Sequence, residues 1–414
     1  MSLLQRLHQR LPRATAPAAV GSLVSLLAQG VFALFLLKLF DAQAVGVFSV
    51  VSQIAFCWAT LALAQSPVSL LADHRQAPRH AAHTAWRQSA WRMVWLSPFM
   101  ALALYWTQRH SASAPLSHAD MGTFGHALLW ASSIAAAQMS WLLAQSLSLR
   151  AQGSLAITLV RLLPPVLAVV VAWVGAQWLG QTQATVLLMA SLLGYAIGAL
   201  WLVPTGHPKP WTAPTHQSPS DPRSTRLKML HTLTDVLCST ALAIQWQALY
   251  GPAEAGCLLV LLRVFGFVPA LVHTAWAQAL ISRPYEHKLS SLRVSLAACG
   301  VIALLGLSLE AALHWQLLQP SWQGLSVYVW PLALWQMAAC LSAAHAHLPF
   351  WQGRTRRFSL QSMGINAVMV GLLLINQSQA MSAAAHLQWI AGFMALALTL
   401  QTLGFLQLQS PRQN

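Results

Sequence analysis

Long apolar runs separated by short polar segments extend along the whole chain of 414 residues. A helix needs about 20 mostly apolar residues to cross the hydrocarbon core of a bilayer. The sequence contains twelve runs of this kind. It therefore predicts twelve transmembrane helices, with approximate spans of 16–38, 45–72, 88–106, 122–148, 155–178, 184–203, 229–250, 254–281, 294–316, 326–347, 358–376 and 386–407.

One polar segment, 204–228, is rich in Pro, Ser and Thr, with six predicted helices before it and six after it. This composition is typical of a linker. We therefore expect an N-terminal six-helix lobe over 1–203, a cytoplasmic linker over 204–228 and a C-terminal six-helix lobe over 229–414.

The composition agrees with a membrane protein. Hydrophobic residues make up 57% of the chain and charged residues only 7%, whereas about a quarter of the residues of a soluble domain are charged. These values exclude a soluble globular protein and a disordered one. The five cysteines lie in apolar runs and form no CxxC pair, which indicates neither a disulfide framework nor a zinc site. We expect no metal and no cofactor.

The net charge of +15 comes from 23 Lys and Arg against 8 Asp and Glu. In a soluble chain such an excess suggests nucleic-acid binding, but in a membrane protein basic residues collect in cytoplasmic loops. With the N-terminus inside, the predicted cytoplasmic segments hold 18 of the 23 basic residues, and the outer loops hold only Arg109. The alternation predicts that both termini are cytoplasmic and that nucleic acid is not a partner.

The chain also contains an internal repeat. Residues 39–46 resemble residues 249–256, which lie 210 positions further along, and the two segments align Gly46 with Gly256. A second, shorter similarity pairs the turn at Gly153 with the turn at Gly353. Because each half has an even number of helices, both halves enter the membrane in the same direction, and the repeat is parallel.

The segment LLKLFDAQAVGVFS at 36–49 resembles the opening of the Wzx-type polysaccharide flippases, which export O-antigen and teichoic acid and belong to the multidrug/oligosaccharidyl-lipid/polysaccharide exporter superfamily. The turn 149–153, followed by Arg161, is similar to that family's Arg-x-x-Gly turn, and so is Gln352-Gly353-Arg354 in the second half. This chain departs from the family where Phe40-Asp41 replaces a Leu-Gly pair, and where Ala44-Val45 precedes the glycine in place of Glu-Phe or Tyr.

The resemblance implies an all-α polytopic membrane protein with about twelve transmembrane helices in two six-helix lobes around a central cavity. It implies a flippase in the bacterial cytoplasmic (inner) membrane, for which the substrate is a polyprenyl-diphosphate-linked oligosaccharide of surface polysaccharide biosynthesis. Membrane lipids are then partners, together with a polysaccharide polymerase or other proteins of the same pathway. The protein is expected not to be an enzyme.

Cations within the predicted spans are candidates for substrate binding, because intramembrane charges tend to face a bundle interior or a water-filled cavity. Arg263 lies about nine residues into its span, where a guanidinium could bind a pyrophosphate or pair with Asp235 or another acid. Arg161, Arg92 and Lys38 lie nearer the membrane surfaces. For these three, a cavity role competes with a side chain that reaches the headgroups.

Two further residues and four amides complete the candidate set. Asp235 could carry a coupling proton, because burial raises the pKa of a carboxyl group, or serve as the partner of an arginine. His273 could relay protons or be a hydrogen-bonded core residue. The amides lie on the four helices that, by the resemblance, line the cavity, and they could contact hydrated sugar: Gln29, Gln53, Gln245 and Gln278.

Two other functions compete with the flippase. A cation-coupled multidrug antiporter of the same superfamily depends on acids buried in the membrane, and the first half has none well inside a span. A membrane polysaccharide polymerase or ligase usually carries reactive residues on a large outer loop. The longest predicted outer loop, 107–121, contains no nucleophile motif and no paired carboxylates.

Overall fold

A computed structural model describes residues 16–64, 66–67, 70, 77–109, 120–150, 154–178, 180, 182–202, 222–277, 280, 288–375 and 381–407. Over these residues the chain forms twelve helices of 16 to 32 residues. We number them α1 Ala16–Leu39, α2 Ala42–Leu63, α3 Pro78–Arg109, α4 Asp120–Arg150, α5 Ser154–Gln177, α6 Ala184–Ala199, α7 Pro222–Tyr250, α8 Pro252–Leu271, α9 Lys288–His314, α10 Ser326–Ala344, α11 Thr355–Ile375 and α12 Ala383–Gln407.

Each helix coincides with one of the twelve predicted spans, and the differences lie at the ends. Helix α2 ends at Leu63 rather than near 72, because the following Ala64 has a φ of 46° that no right-handed helix accepts. Helices α3 and α7 begin ten and seven residues before their apolar spans. Their first turns are polar and basic, and they continue the helix beyond the apolar segment.

Eight described helical segments are long and apolar enough to cross a membrane, and the segments Ala28–Leu39 of α1 and Ala184–Ala199 of α6 are shorter apolar helices. The outward faces of these helices are apolar, as lipid contact requires. Large side chains that are more than 60% exposed include Trp95, Phe99, Leu102, Leu129, Leu296, Leu304 and Trp389. The predicted fold class, an all-α polytopic membrane protein, is confirmed.

The helices form two compact units. The first contains the described residues of Met1–Phe35, Val51–Gln108 and Pro115–Ser220. In it α4, α5 and α6 pack against one another. Gly194 and Gly198 of α6 allow a close approach to α5, because a Cβ at Gly194 would lie 2.6 Å from the carbonyl oxygen of Pro164. The indole of Trp141 in α4 donates a hydrogen bond to the carbonyl of Val160 in α5, at 2.6 Å.

The second unit contains the described residues of Leu36–Val50, Arg109–Ala114 and Asp221–Asn414. Helix α10 lies at its centre and packs against α8, α9 and α12, while α11 packs against α7 and α12. A 3-10 turn over Pro320–Leu325 leads into α10, and α8 continues as a π-helical turn over Val272–Ala277. Residues 36–50, which include the end of α1 and the start of α2, therefore join the helices of the second half.

Candidate functional site

The starts of α2 and α8 touch through two glycines. A Cβ on Gly46 would overlap the carbonyl oxygen of Pro252 and lie 3.0 Å from the nitrogen of Gly256. A Cβ on Gly256 would overlap the carbonyl oxygen of Ala42 and lie 3.1 Å from the nitrogen of Gly46. Only glycine permits so close a backbone approach at these two positions.

The turn between α1 and α2 is fixed by two residues that precede α10. The indole of Trp322 is fully buried and donates to the carbonyl of Phe40, at 3.0 Å. The backbone nitrogen of Ala42 donates to the hydroxyl of Ser321, at 3.2 Å. Within the turn, the carboxylate of Asp41 accepts from the nitrogen of Ala44 and so caps the start of α2. The glycine contact is therefore held in place from two sides.

Arg263 lies seven residues after Gly256 on α8, which is two helical turns, or roughly 10 Å, along the same face. Its side chain is half-buried. The guanidinium carbon lies 4.8 Å from the centre of the ring of Phe48, and that phenylalanine is 2% exposed. A cation over an aromatic face is attracted by the ring quadrupole. This contact orients the Arg263 guanidinium against the ring of Phe48 in α2.

The other predicted cations have different surroundings. Arg92 of α3 donates to the carbonyls of Ala62 and Leu63 at 3.4 Å and to the hydroxyl of Ser66 at 3.2 Å. It therefore satisfies the orphan carbonyls at the end of α2, which is a structural task. Arg161 is half-buried at the start of the third turn of α5, whereas Lys38 is exposed in the last turn of α1.

The predicted amides are divided by burial. Gln245 of α7 is buried, Gln53 of α2 is half-buried and Gln29 of α1 is exposed. Gln278 lies outside the described residues. Gln53 stands 210 positions before Arg263, so these two candidates occupy equivalent places in the repeat. The role of each amide in substrate binding remains a prediction.

Asp235 of α7 has two polar contacts among the described residues, and neither is with an arginine. The amide of Asn366 in α11 donates to its carboxylate at 2.5 Å, and the ring of His231 lies 3.4 Å from it. Its side chain is 51% exposed. His273 is exposed in the π-helical turn that follows α8. A coupling role for Asp235 or His273 stays a prediction.

A polar and aromatic cluster in the second unit is absent from the predicted set. The hydroxyl of Tyr328 in α10 donates to the carboxylate of Glu254 in α8, at 2.5 Å. The ring of Trp246 in α7 stacks on the ring of His386 in α12, with centroids 5.3 Å apart, and lies 6.2 Å from that of Tyr328. The hydroxyl of Tyr250 contacts the Nδ1 atom of His386 at 2.9 Å.

The ring of His386 is held at both nitrogens. Its Nε2 atom lies 3.1 Å from the carbonyl of Leu372, which can only accept, so this nitrogen carries a hydrogen. In the neutral ring, Nδ1 then accepts from Tyr250. The repeat pairs Glu254 with Ala44. The acid in the second half therefore replaces an alanine in the first half, and this was the one feature of the sequence that pointed to the cluster. The tyrosine and histidine partners come from helices far away in sequence.

No family model matches the chain, and no curated protein matches its sequence. Solved structures do match it over nearly its whole length. One match is the lipid II flippase MurJ in an inward closed conformation, which is 9% identical in sequence. The matched region covers 95% of this chain and 87% of the MurJ chain, with a TM-score of 0.62. A second match is the multidrug transporter DinF-BH in complex with R6G, which is 12% identical in sequence. The matched region covers 97% of this chain and 96% of the DinF-BH chain, with a TM-score of 0.54.

A third match is an outward-facing MATE family transporter of the MOP superfamily, which is 12% identical, covers 95% of this chain and 94% of its own, and has a TM-score of 0.51. At these identities the likeness establishes the fold. The chain has the helical fold of MurJ and of the MATE transporters, and the roles of its residues must be argued from its own contacts.

Proposed function

We propose that the chain is a flippase that moves a polyprenyl-diphosphate-linked oligosaccharide across the bacterial cytoplasmic membrane for surface polysaccharide biosynthesis. The main observation that supports this function is Arg263, a half-buried cation in the middle of α8 that lies against the ring of Phe48 in α2. An intramembrane arginine that is oriented by an aromatic face can donate two parallel N–H hydrogen bonds to a diphosphate. The fold shared with MurJ, which is described as a lipid II flippase, supports a lipid-linked substrate.

The charges of the candidate set also support an anionic substrate. Arg263 and Arg161 are half-buried cations within α8 and α5, while the side chain of Asp235 is half-exposed. In this proposal Arg263 binds the diphosphate, Arg161 assists on the cytoplasmic side, and Gln53 and Gln245 contact the sugar. Arg92 is a weaker candidate, because its guanidinium already donates to the end of α2.

The proposed mechanism is alternating access by the two six-helix halves, 1–203 and 229–414, with both termini in the cytoplasm. Transport, rather than a chemical reaction, is the expected activity. Lipids of the membrane and a polysaccharide polymerase or other proteins of the pathway are the proposed partners.

A cation-coupled multidrug antiporter is the second candidate. One observation favours it, since Glu254 is a half-buried acid that accepts a hydrogen bond from the buried Tyr328. An acid of this kind could bind and release a coupling cation. The fold shared with DinF-BH, described as a multidrug transporter, agrees with this alternative.

A deletion strain separates the candidates. Accumulated lipid-linked units together with loss of surface polymer support the flippase. Unchanged polymer with new sensitivity to cationic drugs supports the antiporter. Single units that already face the outside, without polymerised product, indicate a membrane polymerase.

Complementation of that strain tests the residue. We expect Arg263→Gln to lower export by about tenfold or more, which corresponds to the loss of a charge-assisted hydrogen bond, and Arg263→Lys to restore part of it. Arg293→Gln is the matched control, because Arg293 is exposed in α9. Full export by Arg263→Gln at a normal protein level would remove Arg263 from the proposed site.

A further inference from the structure

Three arginines at the start of α11 line a surface groove of the second unit. The groove has a volume of about 600 Å³, and its walls are Arg354, Arg356, Arg357, Leu360 and Gln361. All three arginines are exposed, and Leu360 is 50% exposed. Three exposed arginines thus border an open groove that an accessible apolar side chain also lines.

The backbone sets the position of the three arginines. Gly353 has a φ of 65°, which favours glycine, and it reverses the chain so that the nitrogen of Arg354 donates to the carbonyl of Pro349 at 2.8 Å. The carbonyl of Arg354 then accepts from the nitrogen of Phe358 at 3.1 Å and begins α11. The ring of Phe358 packs on His231 of α7, with centroids 5.7 Å apart.

Among the described residues, no acid forms an ion pair with Arg354, Arg356 or Arg357. The first turn of α11 contains no acidic residue either. The N-terminus of a helix carries a partial positive charge and open N–H groups, so cations placed there are repelled. A bound anion relieves that repulsion, and phosphate accepts hydrogen bonds from both guanidinium and backbone N–H groups.

We propose that this groove binds the phosphate of a membrane-lipid headgroup, with Leu360 against the apolar part of the lipid. The three arginines belong to a basic turn of the kind that collects on the cytoplasmic side, where anionic lipids are attracted to basic residues. Anionic phospholipids and diphosphate-bearing carrier lipids share this phosphate chemistry, and both are sources of the ligand. The site is separate from Arg263 and does not depend on which substrate the protein transports.

Native mass spectrometry of the purified full chain in detergent tests the site. The probes are phosphatidylglycerol, undecaprenyl diphosphate and, as the zwitterionic reference, phosphatidylcholine. We compare the double variant Arg356→Gln/Arg357→Gln with the control Arg87→Gln/Arg293→Gln, which removes the same charge from exposed positions of α3 and α9. Since each basic residue near an anionic surface contributes about fivefold, we expect binding of the anionic lipid to fall roughly 20-fold in the first variant only.

The outcomes identify the source. Loss of phosphatidylglycerol binding alone assigns the site to bulk phospholipid, loss of undecaprenyl diphosphate binding alone assigns it to the carrier lipid, and loss of both assigns it to either headgroup. The variant Arg356→Lys/Arg357→Lys keeps the charge and should retain binding within a few-fold. Equal loss in the groove variant and in the control, or no loss in the groove variant, overturns the proposal. Because no transport is measured, failure here leaves the flippase proposal untouched.

Discussion

Gly46 and Gly256 make the same contact with their roles exchanged. Gly46 approaches the carbonyl of Pro252, and Gly256 approaches the carbonyl of Ala42. Ala42 and Pro252 are themselves 210 residues apart, as the glycines are. A reciprocal contact between equivalent positions is the signature of a two-fold relation. The starts of α2 and α8 are therefore related by a local two-fold axis, and the parallel direction of the repeat stays a prediction.

This contact leads to the first prediction. Gly46→Ala or Gly256→Ala places a methyl group on a backbone carbonyl that cannot rotate away, so the two helices must separate. We expect each variant to lower the free energy of unfolding in mild detergent by about 1–3 kcal/mol, which is the usual cost of overpacking. The double variant should lose less than the sum, because both substitutions open the same contact.

Gly364→Ala in α11 is the control for the glycine contact. Gly364 is exposed and has nothing within 4 Å of an added Cβ. It should gain stability by roughly 0.5–1 kcal/mol, since alanine is the better helix former. If Gly256→Ala were as stable as Gly364→Ala, the close crossing of α2 and α8 would be wrong.

A second prediction concerns Trp322. The change Trp322→Phe keeps most of the buried ring but removes the indole N–H that Phe40 accepts. The carbonyl of Phe40 is then left without this donor, at an expected cost of about 1–3 kcal/mol. Thermal unfolding followed by size-exclusion chromatography measures it. Trp315→Phe, at a position that is 68% exposed, should have little effect, and equal shifts in the two variants would argue against the contact.

The third prediction separates two arginines that the sequence places together among the candidates for substrate binding. Arg92→Gln should destabilise the protein by about 1–2 kcal/mol, because the carbonyls of Ala62 and Leu63 lose a charged donor. Arg263→Gln should leave the stability nearly normal and reduce transport. Measuring melting temperature and export on the same preparations tests the distinction. A stable Arg92→Gln variant with impaired export would return Arg92 to the substrate-binding set.

The positions of the helices could be predicted from the sequence because a membrane span is a local property. Twenty apolar residues identify a span wherever it lies, and the twelve runs became α1 to α12. The ends were harder to predict. The termination of α2 at Leu63 depends on the backbone of Ala64, and the polar first turns of α3 and α7 carry no apolar signal.

The contacts of the candidate residues could be predicted only in part, for a related reason. Depth in the membrane identified Arg263, and the repeat identified Gly46 and Gly256, but neither signal reveals a partner. The contact of Arg263 with Phe48 and the donation from Trp322 to Phe40 join residues more than 200 positions apart. No local pattern encodes such pairs. The sequence placed Arg92 nearer the membrane surface than Arg263, but it did not reveal the carbonyls of Ala62 and Leu63 that accept hydrogen bonds from Arg92.

The last prediction concerns the pair of Glu254 and Tyr328. Tyr328 is 2% exposed, and its hydroxyl donates to the Glu254 carboxylate. Hydrogen bonds to charged groups contribute about 1.5–3 kcal/mol when they are protected from solvent. A double-mutant cycle with Tyr328→Phe and Glu254→Gln should therefore give a coupling energy of at least about 1 kcal/mol for unfolding in detergent.

The pair of Asp235 and Asn366 provides the internal comparison for this cycle. It has the same 2.5 Å separation, but the carboxylate side chain is 51% exposed. Asp235 lies about six residues into the predicted span 229–250, near its cytoplasmic end. Water can reach a half-exposed carboxylate there, so its coupling energy with Asn366 should stay below about 1 kcal/mol. If both cycles gave the same small value, Glu254 would be as solvated as Asp235. The antiporter alternative, which needs a protected acid at Glu254, would then lose its main support.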